Sequence, residues 1–166
     1  MPEIIPLDPS QAPAARCMIY TVAHQIFPSE RTLAESFQHY QETWPLHDMD
    51  DIQASYFEHG GAFLAVVENG RLIGTGAIKR FDEPPQDGVC ELKRFWFLPE
   101  YHGTGLAAQL LERLMDLARA MGYHTMRLET SPQYQQRAYA FYRKYGFYEI
   151  PRYGEFDDDI GMERKL

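Results

Sequence analysis

The sequence has little that would tie it to a metal, an oxidising compartment or a membrane. Its two cysteines, Cys17 and Cys90, lie outside any C-x-x-C spacing, and no histidines show metal-ligand spacing, so no metal site is expected. Both thiols are predicted to fill the core of a cytoplasmic protein. The longest apolar run, residues 62–67, is too short to span a bilayer, and the N-terminus resembles no signal peptide.

Positive charge is also scarce. Lysine and arginine number 16 against 24 aspartates and glutamates, so the formal net charge is −8. Such a surface argues against nucleic acid or an anionic membrane as the main partner. It suits a cationic or amine-bearing substrate, although solubility explains it equally well. The 166 residues are predicted to form one domain, residues 1–166.

The clearest local signal is a β-hairpin, in which Asn69-Gly70 separates two β-rich runs, residues 62–68 and 71–81. Further elements follow from apolar spacing and from capping residues. These are strands over Ile4–Leu7, Val89–Leu98, His124–Thr130, Phe147–Tyr153 and Ile160–Lys165, and helices from Asp8 or Ser10 to Ile26, over Thr32–Tyr40, from Asp50 or Asp51 to Gly60, over Thr104–Met121 and over Gln135–Tyr145. Residues 45–51 and 82–88 are predicted loops. This order implies a mixed sheet flanked by helices.

The most informative stretch runs from Cys90 to Ala108, where a strand pattern passes through two glycines into a leucine-rich helix. Gly103 and Gly105 have no Cβ, so the backbone there can approach a ligand closely. The start of a helix also offers unpaired N–H donors and a positive dipole end. A phosphate cradle and a plain strand-to-helix connection both fit the glycines alone.

A dinucleotide-binding turn is a further alternative, because Gly103, Gly105 and Ala108 satisfy G-x-G-x-x-A and Glu129 ends the next strand. In that fold the first strand is apolar and leads straight into the first glycine. Here the strand carries Glu91 and Lys93, and four residues separate it from Gly103. The dinucleotide interpretation is therefore the weaker one.

The residues around the glycines resemble the GNAT superfamily of N-acetyltransferases, which use acyl-coenzyme A. The family's first motif, Arg or Gln, two residues, Gly, one residue, then Gly or Ala, is read here over His102, Gly103, Thr104, Gly105, Leu106 and Ala107. The second motif, N-x-x-A-x-x-x-Y-x-x-x-G-F, is matched by Gln135, Ala138, Tyr142, Gly146 and Phe147. Two positions depart from the family: His102 replaces Arg or Gln, and Gln135 replaces Asn. The resemblance is clear from about Gly61 to Phe147.

The resemblance implies an α/β (mixed α+β) single-domain fold, with a mostly antiparallel sheet and a parallel, splayed strand pair at the cofactor site. It implies transfer of an acetyl group from acetyl-CoA to a primary amine by direct attack in a ternary complex, without a metal. A non-catalytic acyl-CoA-binding module is the alternative. The cofactor-binding residues it implies are Phe97, Leu98, His102, Gly103, Thr104, Gly105, Leu106, Ala107, Ala108, Gln135, Ala138 and Tyr142. Edge strands near the C-terminus could pair two copies of the chain.

Two carboxylates are candidates for the general base, because an alkyl amine titrates near about 10.4 and must lose a proton before it attacks. Glu91 resembles the base of some family members, but it could equally pair with Lys93 or Arg94. Glu129 is the rival, and its alternative role is to accept hydrogen bonds from nearby backbone.

The family's splayed strand implies an oxyanion donor in the backbone N–H near Phe97. Tyr142 is the candidate acid for the departing thiolate, although its helical spacing with Ala138 and Phe141 is equally typical of a core residue. Candidate acceptor-facing residues are Phe27, Arg31 and residues 153–159, and candidate phosphate contacts are Arg137, Arg143 and Lys144.

Overall fold

The predicted hairpin forms the centre of the fold. A computed structural model describes residues 1–166. In it, β2 (Ala62–Glu68) and β3 (Arg71–Asp82) pair across Asn69 and Gly70, whose φ angles are 51° and 76°. Positive φ at both turn residues suits the strand twist, and Asn-Gly adopts it at low cost.

Seven strands make one sheet in the order β1-β2-β3-β4-β5-β7-β6. The remaining strands are β1 (Glu3–Pro6), β4 (Pro85–Phe97), β5 (Thr125–Thr130), β6 (Tyr148–Ile150) and β7 (Ile160–Lys165). All neighbours are antiparallel except β4 and β5, which run parallel. The predicted mixed sheet with one parallel pair is therefore confirmed.

Four α-helices flank this sheet. They are α1 (Ala12–Ile26), α2 (Leu33–Thr43), α3 (Leu106–Ala120) and α4 (Gln136–Lys144), with 3₁₀ turns at Pro9–Gln11, His47–Met49 and Pro99–Tyr101 and a π-helical turn at Gln53–Phe57. Thr32 caps α2 by accepting the N–H of Glu35, whose carboxylate accepts the Thr32 N–H in return. The helix α1 packs on β3 and β4, and α3 packs on β2 and β3.

Several sequence predictions are wrong in detail, among them the strand predicted over Phe147–Tyr153, which is limited to Tyr148–Ile150. The predicted loop at residues 82–88 is mostly strand, because Asp82 pairs with Pro85 and leaves only a two-residue turn. The helix predicted from Thr104 begins at Leu106, because Gly103 and Gly105 have left-handed φ angles of 76° and 85°. Cys17, predicted in the core, is exposed on α1, whereas Cys90 is buried. Met121, predicted as the last residue of α3, lies just beyond it and is exposed.

Two features of β4 open the sheet. Thr75 pairs with Trp96 and Ala77 with Lys93, so Gly76 alone opposes two residues, Arg94 and Phe95, in a β-bulge. On the other side, β4 pairs with β5 only as far as Glu91 opposite Arg127, although both strands continue further. The parallel strands therefore diverge beyond Glu91, as the family resemblance implies.

Candidate active site

The divergence of β4 and β5 is flanked by two cavities. The first, of about 270 Å³, is bounded by the glycine loop, the end of β4 and the start of α4. The second, of about 420 Å³, lies against Glu91, Glu129 and the end of α2. Six residues line both cavities: Phe95, Trp96, Tyr134, Gln135, Ala138 and Tyr142. The two cavities thus adjoin where the sheet is open.

The glycine loop presents a row of unpaired backbone donors. The N–H groups of Gly103, Thr104, Gly105, Ala107 and Ala108 donate to no group of the protein. That of Leu106 makes one long contact, 3.5 Å, to Thr104 Oγ1. A Cβ at Gly103 or Gly105 would meet no atom within 4 Å, so the loop borders open space. Free donors at a helix start fit an anion such as a pyrophosphate, which favours the cradle over the plain connection.

Positive charge near this loop comes from Arg137, at the start of α4, and not from His102. Both residues line the first cavity. Burial, and then the nearby Arg137 charge, lower the pKa of His102, so the imidazole is neutral at pH 7. Arg143 and Lys144, the other predicted phosphate contacts, do not line the cavity.

The predicted cofactor-binding residues divide into two groups. Those that line the first cavity are Phe97, His102, Gly103, Gly105, Ala107, Gln135, Ala138 and Tyr142. Thr104, Leu106, Leu98 and Ala108 do not line it. Leu98 and Leu106 belong to the hydrophobic core, and the Thr104 hydroxyl donates to the carbonyl of Tyr101 at 2.6 Å. Leu98 and Leu106 can therefore contribute backbone groups only.

The backbone of Phe97 faces the gap between the strands. The N–H of Leu98 donates to Ile73, so it points toward β3. Because successive backbone groups alternate in direction along a strand, the N–H of Phe97 points toward the opposite side, where β5 has diverged. This geometry suits the predicted oxyanion donor.

Glu91 is buried in the wall of the second cavity, with 8% of its surface exposed. Its Oε2 accepts the Tyr153 hydroxyl at 3.0 Å, and its Oε1 lies 4.0 Å from Lys93 Nζ. Of the two alternative pairings, the one with Lys93 is present and the one with Arg94 is wrong, because Arg94 binds Asp48 instead. Burial lowers the pKa of Lys93. The two contacts of Glu91 occupy only part of the acceptor capacity of a carboxylate, so the side chain can still accept a proton from the cavity.

Glu129 accepts two backbone hydrogen bonds, from Gly154 at 2.9 Å and Tyr153 at 3.3 Å, both to Oε2. A Cβ on Gly154 would collide with this carboxylate, so glycine is required for the contact. Burial raises the pKa of Glu129. Glu129 therefore has the backbone-binding role that the sequence analysis gave as the alternative to a general base. These hydrogen bonds hold the β6–β7 loop against the end of β5.

Tyr142 sits where the two cavities meet. Its side chain is 6% exposed and packs edge-on against Phe141 and Phe147, with ring centroids 5.6 Å away in each case. The hydroxyl makes no hydrogen bond within the protein, yet the residue lines both cavities. Burial raises the pKa of this phenol, so it keeps its proton at neutral pH. Core packing and a free proton donor are therefore combined in one residue.

The second cavity combines aromatic walls with acids that have no basic partner. Phe27, predicted to face the acceptor, lines it, whereas the predicted Arg31 does not. Of the predicted loop residues 153–159, only Phe156, Asp158 and Asp159 do. Burial and the Asp158 charge raise the pKa of Asp159. Glu129, Asp158 and Asp159 form no ion pair, which leaves the cavity with an excess of negative charge.

Sequence reasoning missed several residues of this cavity, including Trp44, Trp96, Ser131 and Tyr134. The aromatic residues belong to no motif, so the sequence does not distinguish them from core residues. Ser131 Oγ is buried without a hydrogen-bond partner, which only the folded chain reveals.

No group of three or more His, Cys, Asp or Glu is arranged to hold a metal ion. None of the helices combines the length and apolar character needed to cross a membrane.

Known proteins share this architecture. Residues 29–147 match the model of the acetyltransferase (GNAT) family. The uncharacterized N-acetyltransferase YjgM of Escherichia coli K12 is 32% identical over 123 residues, 72% of each chain.

Two solved structures show the same fold. A GNAT-family acetyltransferase from Staphylococcus aureus Mu50 superposes with a TM-score of 0.81 at 21% identity, covering 100% of this chain and 99% of that one. The paia N-acetyltransferase of Thermoplasma acidophilum, solved in complex with coenzyme A, gives 0.73 at 20% identity, with 100% and 99% covered. The chain therefore belongs to the GNAT superfamily of N-acetyltransferases, enzymes that take their acyl group from a coenzyme A thioester.

Proposed function

We propose that this enzyme transfers an acetyl group from acetyl-CoA to a primary amine by direct attack in a ternary complex. The observation that carries the proposal is the junction of two unlike cavities at the splayed strands. The first has free N–H donors and the Arg137 guanidinium. The second has aromatic rings and more acids than bases, since both of its cations, Lys93 and Arg94, are already paired with carboxylates. The proposal treats residues 1–166 as one acetyltransferase domain, since all seven strands share a sheet.

On the donor side, the N–H groups from Gly103 to Ala108 would hold the pyrophosphate of coenzyme A, with Arg137 beside them. The Gln135 side chain would meet the pantetheine arm through its amide N–H groups only. Its Oε1 already accepts the Ser131 N–H at 3.1 Å and the Thr130 hydroxyl at 3.3 Å. The longer side chain that departs from the family's Asn is thus used to fix the start of α4.

The chemistry assigns one role to each of three groups. Glu91 accepts the proton of the incoming ammonium, directly or through a water. The N–H of Phe97 donates to the carbonyl oxygen as that oxygen gains negative charge. Tyr142 donates its proton to the departing sulfur. Burial of the site also raises the proton affinity of a thiolate, which helps a phenol of raised pKa to act as its acid.

The acceptor side favours an amine that arrives as a cation. Glu129, Asp158 and Asp159 line the cavity without basic partners, and nearby aromatic faces attract an ammonium group. The negative wall would draw the acceptor in, and Glu91 would then remove its proton.

The proposal is tested by incubating the protein with acetyl-CoA and a panel of primary amines, with detection of free coenzyme A thiol and mass spectrometry of the amine. We expect thiol release that depends on the amine and yields an acetylated product. A protein that binds acetyl-CoA in calorimetry but releases thiol with no amine of the panel would instead be a coenzyme A-binding module.

Gly105→Val is expected to weaken acetyl-CoA binding by at least about tenfold, because a branched side chain would occupy the space in front of the free N–H groups. The measurement is the Kd from isothermal titration calorimetry. Gly122→Val is the matched control, since Gly122 has a φ of 92°, also borders open space and lies at the opposite end of α3. Both variants carry similar backbone strain, so equal affinities in the two would show that the cradle lies elsewhere.

A further inference from the structure

Arg94 has an unusual backbone conformation. Leu46, Asn69 and Arg94 are the non-glycine residues with positive φ, and Arg94, at 54°, is the one within a strand. It occupies the β-bulge opposite Gly76, where glycine is the usual residue for a left-handed conformation. Such strain persists only where surrounding contacts hold it, and it occurs most often at functional sites.

The contacts that hold Arg94 come from three parts of the chain. Its guanidinium donates to both carboxylate oxygens of Asp48, from Nε at 2.9 Å and from Nη2 at 2.5 Å. The Tyr56 hydroxyl donates to the same carboxylate, and the Thr75 hydroxyl donates to the Arg94 carbonyl at 2.7 Å. The guanidinium also lies 5.9 Å from the ring centroid of Trp44. We call the Asp48–Arg94 ion pair the clamp.

The clamp contributes more to the local geometry than to the free energy of folding. Its side chains are only 13% and 15% exposed, and the cost of removing both charges from water offsets much of their attraction. A bidentate pair does, however, fix the orientation of both partners. What it fixes here is a β-bulge next to the point where β4 and β5 separate.

The residues that follow the bulge form the junction of the two cavities. Phe95 and Trp96 line both, and Phe97 presents its N–H to the gap between the strands. We propose that the clamp is a positioning device for acyl transfer, in which Asp48 holds the bulge at Arg94 so that the Phe97 N–H meets the thioester oxygen. This inference rests on the proposed function, and it makes Asp48, which lines neither cavity, a positioning residue that acts through Arg94 in the wall of the second cavity.

The test uses acetyl-CoA carrying ¹³C at its carbonyl and isotope-edited infrared spectroscopy of the bound molecule. A hydrogen bond from an N–H lowers the carbonyl frequency, so the parent should show a band below that of free acetyl-CoA. In Asp48→Asn the band should move back toward the free value, while the Kd for coenzyme A, which has no carbonyl at that place, should stay within about twofold. With an acceptor in hand, kcat should fall by about 10²-fold, the usual scale for a small misplacement.

Asp50→Asn is the matched control. Asp50 lies two residues away, is more than half exposed and pairs with Arg16 at 2.6 Å, so its loss removes the same charge without touching the bulge. Its carbonyl band should equal that of the parent. A parent that binds no acetyl-CoA would overturn the proposed function itself. A folded Asp48→Asn that keeps the parent's band would overturn the clamp alone.

A pair of double variants separates geometry from charge and covers the case in which Asp48→Asn fails to fold. Asp48→Asn with Arg94→Gly, and Asp48→Asn with Arg94→Ala, both leave no unpaired buried charge. Glycine adopts a positive φ freely and alanine does not. We expect the glycine variant to keep most of the band displacement and the alanine variant to lose it. Equal bands in the two would show that the bulge does not depend on holding residue 94 in this conformation.

Discussion

Tyr142→Phe is expected to lower kcat by about 10²–10⁴-fold, the usual scale for the loss of a general acid. The affinity for acetyl-CoA should barely change, because only an interaction made in the transition state is lost. The stability of the fold should also barely change. The Tyr142 hydroxyl has no hydrogen-bond partner in the protein, and phenylalanine keeps the ring contacts with Phe141 and Phe147.

The measurements are kcat under conditions where chemistry limits the rate, the Kd for acetyl-CoA and the thermal midpoint. Tyr139→Phe is the matched control on the same helix, because that hydroxyl is exposed and donates to Glu149 at 2.5 Å, away from both cavities. Its kcat should equal the parent's. If Tyr142→Phe stays within a few-fold of the parent while Tyr139→Phe behaves as expected, Tyr142 is a core residue only.

The features of this site that the sequence predicts correctly are those that depend on residues close together in the chain. The glycine loop places Gly103 and Gly105 two positions apart, and their conformational freedom is a property of the residues themselves. The Asn69-Gly70 hairpin is equally local. Where local signals compete, the predicted bounds of an element are wrong by a few residues. Pro84-Pro85 indicated a loop, but Pro85 is the first residue of β4. At that position of a strand the missing N–H of proline is tolerated best.

The parts that the sequence does not reveal depend on residues far apart in the chain. Asp48 and Arg94 are 46 residues apart, and Glu91 and Tyr153 are 62 apart. No spacing rule connects such pairs, because the fold alone brings them together. The sequence therefore left Arg94 as a possible partner of Glu91, and it could not decide between a base and a backbone-binding role for Glu129. The structure assigns Arg94 to Asp48 and gives the Glu129 carboxylate two backbone donors.

Glu91→Gln is expected to lower kcat/KM for the amine by about 10²–10⁴-fold at pH 7. A primary amine with a pKa of about 10.4 is almost wholly ammonium at that pH, and an amide cannot accept its proton. The free-amine fraction rises about tenfold per pH unit below that pKa, so the variant should recover activity as pH increases, and the parent should gain less. The pH profile of kcat/KM from pH 7 to 10 is the measurement.

Glu129→Gln is the matched control, because it makes the same change on the neighbouring strand. Both the Tyr153 and the Gly154 N–H groups donate to the single oxygen Oε2, so a glutamine oxygen in that place can retain these contacts in the weaker form of a neutral acceptor. We expect a loss below about tenfold, with a pH profile parallel to the parent's, since a loosened β6–β7 loop affects acceptor binding at every pH. A severe, pH-dependent defect in Glu129→Gln beside a near-normal Glu91→Gln would transfer the role of base to Glu129. In that case the hydrogen bond from the Tyr153 hydroxyl would mark Glu91 as the residue that holds the loop.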